Sequence, residues 1–215
     1  MTVNEYHLRE LEIAQSIKDP SHILPGLPAD MKRILDLGCG AGQTLIACEI
    51  ENGVLAIGLD IDEEALKLGR KLSGDITYVK GRGEQLPFSD DVFDAVISRV
   101  ALPYTLIPTT LKEIRRVLRP GGQVWLTLHP FSMLRSMFAA AIKGGSPRSV
   151  VYQFYVLTNS ALFHLIGRLF RYPFNRSRCE SVQTNKSVTR AMRQAGFKQI
   201  EIKIHHFFTA KAKSL

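Results

Sequence analysis

Apolar and polar positions along this chain follow two rhythms. Unbroken apolar runs of about four to six residues alternate with segments whose apolar residues recur at spacings of three and four. Short continuous runs suit strands buried on both faces, and the longer spacing suits helices with one buried stripe. The strands predicted this way are Arg33–Leu37, Val54–Leu59, Ile76–Lys80, Ala95–Ser98 and Gln123–Leu128. Between them fall helices at Gln43–Ile50, stopped by Asn52-Gly53, then at Asp62–Leu72 and Leu106–Leu118. Strand and helix in strict alternation predict a doubly wound α/β domain with a mostly parallel sheet. Ahead of it, Asn4–Ile17 has Leu8, Leu11 and Ala14 or Ile17 on one helical face, and Pro20 with Pro25-Gly26-Leu27-Pro28 then breaks the chain. Residues 1–28 therefore read as an N-terminal helix and linker. After it, a helix capped by Thr184 or Asn185 runs to Gln194, and strands follow at Phe197–Ile204 and Phe207–Lys213. His205 and His206 fall in the turn between those strands, and neighbouring strand residues face opposite ways, which argues against a two-histidine metal site.

The rhythm changes at 131–178, where a helical insert follows the fifth strand. Leu134, Met137, Phe138, Ala141 and Ile142 share a helix face that Gly144-Gly145 ends. Ser146-Pro147 then opens a second helix toward Phe170, with a break expected at Asn159-Ser160. Its polar residues make it a poor membrane span. The insert holds seven basic residues and no acid, with nine of the eighteen aromatics. Three readings stay open: a lid forming an apolar pocket for a small acceptor, a face resting on an anionic membrane, and an RNA-holding surface. Apolar residues outnumber polar ones, which ranks nucleic acid last.

A length of 215 residues suits one domain over 1–215. Charge is split unevenly: residues 1–130 carry 14 basic and 18 acidic side chains, while 131–215 carry 14 basic and only Glu180 and Glu201. An anionic partner for the second part is one reading, and a solvated basic surface is the other. Cys39, Cys48 and Cys179 are too few and scattered for a disulfide framework or a zinc site. No signal-type apolar segment lies in Met1–Pro20, so a cytoplasmic, possibly membrane-peripheral, protein without a metal is expected.

The chemistry concentrates at Ile34-Leu35-Asp36-Leu37-Gly38-Cys39-Gly40-Ala41-Gly42-Gln43-Thr44. An apolar strand ends in an acid and then in glycine at every second position. Glycine allows a turn closed to other residues and lets a ligand lie on bare backbone. A dinucleotide site would need its third glycine where Gln43 stands, and a phosphate loop would need a Gly-Lys-Ser/Thr ending. A nicotinamide-dependent oxidoreductase is therefore disfavoured.

The stretch instead resembles the first motif of class I S-adenosylmethionine-dependent methyltransferases of the small-molecule type, similar to the ubiquinone/menaquinone-biosynthesis group. Gly83-Glu84-Gln85-Leu86-Pro87-Phe88 leading to Phe93-Asp94-Ala95-Val96, and Leu118-Arg119-Pro120-Gly121-Gly122 before a strand, resemble further motifs of that family. The resemblance covers 33–130 and, loosely, the C-terminal strands. It implies a Rossmann-like methyltransferase fold with a seventh, antiparallel strand, and S-adenosyl-L-methionine as cofactor. Asp36, Gly38, Cys39, Gly40 and Gly42 would shape the cofactor loop, and Ser98 would lie at the fourth strand's end. Asp60, 18 residues beyond Gly42, would accept from both ribose hydroxyls, with Ile61 beside adenine. Tyr6 and Arg9 would close the site from the N-terminal helix, Arg9 near the methionine carboxylate. Arg82 stands where the family often has an acid that accepts from the adenine amino group. Arginine cannot accept, so the backbone at Gly83 or the Glu84 carboxylate must serve.

His129, at the carboxyl end of the fifth strand, reads equally as a general base and as a hydrogen-bonded cap. Tyr104 lines the substrate side and, by position alone, is the other candidate catalytic residue. The Pro-Pro-aromatic motif of adenine-amino methyltransferases is missing after Ser98. The expected activity is methyl transfer to a small apolar acceptor. RNA methylation and non-catalytic cofactor binding are the alternatives, and the sequence does not reveal the oligomeric state.

Overall fold

The strands β1 (Arg33–Leu37), β2 (Leu55–Asp60), β3 (Ile76–Lys80), β4 (Phe93–Arg99), β5 (Leu118–Leu128), β6 (Lys198–Ile204) and β7 (Phe208–Lys213) form one sheet. Their order is β3-β2-β1-β4-β5-β7-β6. The geometry comes from a computed structural model describing residues 2–28, 30–51, 53–204 and 207–214. The first five strands pair in parallel, and β7 runs antiparallel to both β5 and β6. Winding proceeds outward from β1 to β3 and then reverses through β4. The carboxyl ends of β1 and β4 thus flank a topological switch point, where open α/β sheets bind ligands.

Helices α1 (Val3–Gln15), α2 (Gln43–Ala47) and α3 (Glu63–Leu72) pack together on one side. On the other, α4 (Ile107–Val117), α6 (Pro147–Ile166) and α7 (Asn185–Gln194) bring Ile114, Phe163 and Met192 onto the sheet. Alternate residues of β1 serve opposite cores: Leu35 and Leu37 enter one, and Ile34 the other. This two-sided burial accounts for apolar residues at successive positions such as Ile34-Leu35, and each such side chain contributes about 1.5–3 kcal/mol. α1 begins with a reciprocal cap, in which Thr2 and Glu5 bond each other's backbone amides.

Several boundaries differ from the sequence pattern. α2 ends at Ala47, and Asn52 of its expected stop lies outside the described residues, as do His205 and His206. β4 begins at Phe93, and β5 at Leu118, so it takes in the Arg119–Gly122 turn expected to precede it. Pro103 opens a separate 3-10 turn, Leu102–Tyr104, before α4. In the insert, α5 (Met133–Lys143) and α6 pair as expected, but α6 runs unbroken through Asn159-Ser160 and stops at Gly167, φ +75°. The polar pair serves another purpose. Asn159 donates to Glu180 O at 2.9 Å and accepts from Phe170 N at 3.0 Å, while Ser160 accepts from Val182 N at 2.9 Å. It seats the returning segment 168–183 on the helix, satisfying backbone groups that burial would otherwise orphan. Among the described residues no helix is long and apolar enough to cross a membrane, all three cysteines are free, and no cluster could hold a metal ion.

Candidate active site

Two lobes of one cleft open at the switch point. A lobe of about 430 Å³ is lined by Tyr6, His7 and Glu10 of α1, the Gly38–Gly40 loop, Thr44, and the β4 end Arg99-Val100-Ala101. A second, of about 280 Å³, is lined by Ile61, Gly81–Glu84, Thr105 and Ser177. Gly38, Asp60, Ala101 and Tyr104 belong to both.

The loop from Gly38 to Gly42 uses up its own hydrogen-bond donors. Gly38 and Cys39 donate to Leu59 O at 2.7 and 3.1 Å, and Gly42 donates to Cys39 O at 2.8 Å. Gly40 donates to Asp60 at 2.8 Å and Ala41 to the Gln43 amide oxygen at 3.1 Å. Gly38, Gly40 and Gly42 take φ of +73°, +55° and +84° to make these bonds, a region that side chains disfavour. A phosphate-cradling loop aims free amides at its anion. Here all five amides are engaged within the protein.

Fixed charge points the same way. Asp36 lies 1% exposed beneath the loop, and neither carboxylate oxygen has a hydrogen-bond partner. Burial pushes its carboxyl up to about 7, opposed by Arg99 and reinforced by Asp60. Asp60 holds the loop and also accepts from Asp62 N at 2.9 Å. Arg99 faces these acids from β4, donating to Glu10 at 3.0 Å and Thr44 at 3.3 Å. A cationic ligand would neutralise the carboxylates, whereas a pyrophosphate would meet them. The residues therefore fit S-adenosylmethionine, with a sulfonium and an ammonium, better than a dinucleotide.

Of the residues singled out by sequence, Tyr6, Gly38, Cys39, Gly40, Asp60, Ile61, Gly83, Glu84 and Tyr104 line the cleft. Asp36 lies beneath it. Arg9 is a correction: it is exposed on α1, two residues beyond His7, and lines neither lobe, whereas Arg99 lines the first. Gly42 contributes packing instead, since a Cβ there would meet the Tyr78 hydroxyl at 2.4 Å. Ser98 is fully buried and donates to Leu37 O at 2.9 Å, tying β4 to β1. His129 lines neither lobe; its ring packs edge-on against Tyr104 at 5.3 Å. Burial lowers its pKa to about 4, so it is neutral near pH 7 and a weak base. Tyr104 shifts upward, to about 12, and stays a neutral phenol.

The adenine-side acid is already engaged. Glu84 accepts from Arg171 at 2.9 Å and Leu106 N at 3.3 Å, with Arg82 at 3.6 Å. Its loop is fixed by Arg116, which reaches Glu113, Asp90 and the carbonyls of Leu86 and Phe88. Sequence reasoning missed His7, Glu10, Gln43, Arg99 and Val100. The α1 residues carry no motif, but Ser98-Arg99-Val100 at the carboxyl end of a predicted parallel strand was a usable signal. Val100 is strained: a β-branched residue at φ +62°, its N–H bonded to Thr127 Oγ1 at 2.8 Å. Such backbones cost about 1–3 kcal/mol and collect at ligand sites.

Comparisons with known proteins agree with this geometry. Residues 35–126 match a family model described as a methyltransferase domain. A malonyl-[acyl-carrier protein] O-methyltransferase of Erwinia pyrifoliae is 34% identical over 53% of this chain and 43% of its own length. A demethylmenaquinone methyltransferase of Clavibacter sepedonicus is 29% identical over 81% of this chain and 69% of its own. The chain spans about half the length of the curated relatives that it matches at higher identity. A methyltransferase solved in complex with the Haloferax volcanii Trm112 activator superposes with a TM-score of 0.64 at 18% identity, covering 98% of this chain and 95% of that one. That likeness establishes the fold, and over residues 35–126 the chain is similar to methyltransferase domains.

Proposed function

We propose that the chain transfers the methyl group of S-adenosylmethionine to a small apolar acceptor. The observation carrying this reading is the loop with no amide left for an anion, set over a buried, unpartnered Asp36. The cofactor supplies an activated methyl on a good leaving group. The protein's work is then to align the acceptor and exclude water. Asp36 attracts the cationic end from beneath the loop, Asp60 accepts from the ribose, α1 covers the loop through His7 to Gln43 at 2.7 Å, and Tyr104 stands where the lobes meet. The acceptor's nucleophile bonds to the methyl carbon as the carbon–sulfur bond breaks, and any proton on the nucleophile leaves to solvent. The test is methyl-labelled cofactor mixed with protein and cell extract. Label entering the organic phase supports an apolar acceptor; label in RNA supports the RNA alternative and overturns the small-acceptor reading.

A non-catalytic cofactor-binding role is the second reading, favoured by Glu84, whose carboxylate two arginines already surround. No label transferred to any extract component, with the cofactor bound, would establish it. For the insert we propose contact with an anionic bilayer. Ile142, Phe154, Leu165 and Ile166 are each more than half exposed on helices flanked by seven cations and no acid. Salt-sensitive pelleting with phosphatidylglycerol vesicles but not phosphatidylcholine is the expected result; equal pelleting or none contradicts it.

A further inference from the structure

The insert carries a groove of its own, of about 860 Å³, between the first turns of α6 and the returning segment. Its wall is aromatic. Tyr152 meets Tyr172 edge-to-face at 5.0 Å, and Tyr172 meets Phe174 at 5.5 Å. Phe174 is 82% exposed, so one side of that wall has no protein cover. Arg148 and Arg178 also line the groove, and no acid does. Among the described residues neither arginine has a carboxylate within 4.0 Å; Arg178 stacks instead on Tyr152, 4.6 Å from the ring centroid. The volume is in the range of small-molecule sites.

The groove adjoins the cleft. Asn175 and Arg178 line the groove while Ser177 between them lines the adenine-side lobe, so one thickness of chain separates the two. That chain is held against the turn bearing Tyr104: Ser181 N donates to Pro103 O at 3.1 Å and Cys179 Sγ to Thr105 O at 3.4 Å. Tyr152 is fastened to the same segment through its hydroxyl, which donates to the buried Glu180 at 2.7 Å.

We propose that this groove holds the body of the methyl acceptor, and that the acceptor's apolar body is an aromatic ring carrying one anionic group. Its ring stacks on the Tyr152–Phe174 wall, its charge pairs with Arg148 and Arg178, and its reacting end reaches past Ser177 to Tyr104. The assignment rests on the methyltransferase reading for the word acceptor, but the groove's chemistry stands apart from it.

The test uses full-length protein, 2-naphthoate as the anionic probe and neutral 2-naphthamide as its control. Saturable binding of 2-naphthoate is expected, with the amide much weaker. Arg148→Met and Arg178→Met should each weaken naphthoate about tenfold or more, the worth of a charge-assisted hydrogen bond. Phe174→Ala, at an exposed position that folding does not need, should weaken both probes. S-adenosylhomocysteine affinity should stay unchanged in all three variants. No saturable naphthoate binding, equal binding of the amide, or undiminished binding by both arginine variants overturns the proposal. Naphthoate binding by a protein that ignores S-adenosylhomocysteine would overturn the methyltransferase reading and leave an aromatic-anion site.

Discussion

Replacing Asp36 by asparagine should move fold stability and cofactor affinity in opposite directions. Its carboxyl, raised from 3.8 to about 7, binds a proton in the folded state over a range where the unfolded chain has lost it. Stability therefore falls as pH rises from about 4 to 7, and the full penalty of the buried charge applies above pH 7. A rise of about 3 pH units corresponds to about 4 kcal/mol. The substituted side chain would carry no charge, but its amide is left without partners at a cost of about 1–3 kcal/mol. The net expectation for Asp36→Asn at pH 8 is a gain of about 1–3 kcal/mol, or several degrees in melting temperature for a chain of this size. The gain should shrink toward pH 5, where the wild-type carboxyl is protonated. The same substitution removes the negative charge beneath the cofactor loop, so affinity for S-adenosylmethionine should fall. Thermal melts from pH 5.5 to 8.5, with and without cofactor, measure both. A variant less stable than wild type at pH 8, or one binding the cofactor as tightly, would refute the reasoning.

Three further substitutions probe the site. Gly38→Ala places a Cβ 2.1 Å from that of Ala101 at φ +73°, so it should destabilise by at least the 1–3 kcal/mol of ordinary overpacking, read by urea unfolding. Asp60→Ala removes the acceptor of Gly40 N and Asp62 N and should weaken cofactor binding by about 1.5–3 kcal/mol in calorimetric titration; unchanged affinity would remove Asp60 from the site. His129→Gln, at a histidine that lines neither lobe, should lose far less than the ~100-fold that removing a general base costs; a larger loss in turnover would restore it as the base.

The sheet was legible because its strands are buried on both faces, so burial alone wrote continuous apolar runs at Ala56–Leu59 and Ala95–Ile97. The loop was legible because its positive-φ turns admit little besides glycine. Arg9 and Arg99 show where the reading failed. A helix's cleft-facing side depends on its docking angle, which periodicity does not record, and α1 turned His7 and Glu10 inward instead. Asn159-Ser160 misled for a related reason. Polar residues in a helix read as a break until the segment they bond, 170–182, is known to lie against them. His129 sits at the sheet edge where a base would act, but it is buried, with Tyr104 of the 3-10 turn packed against its ring, a contact that local pattern does not record.

The central claim is that this cleft selects a sulfonium nucleoside over an anionic dinucleotide. Calorimetric titration of S-adenosylmethionine into the protein at pH 8, alone and with excess NADH, measures it directly. One-site binding that NADH leaves unchanged is the predicted result. Tight NADH binding that blocks S-adenosylmethionine, or no S-adenosylmethionine binding at all, would contradict it.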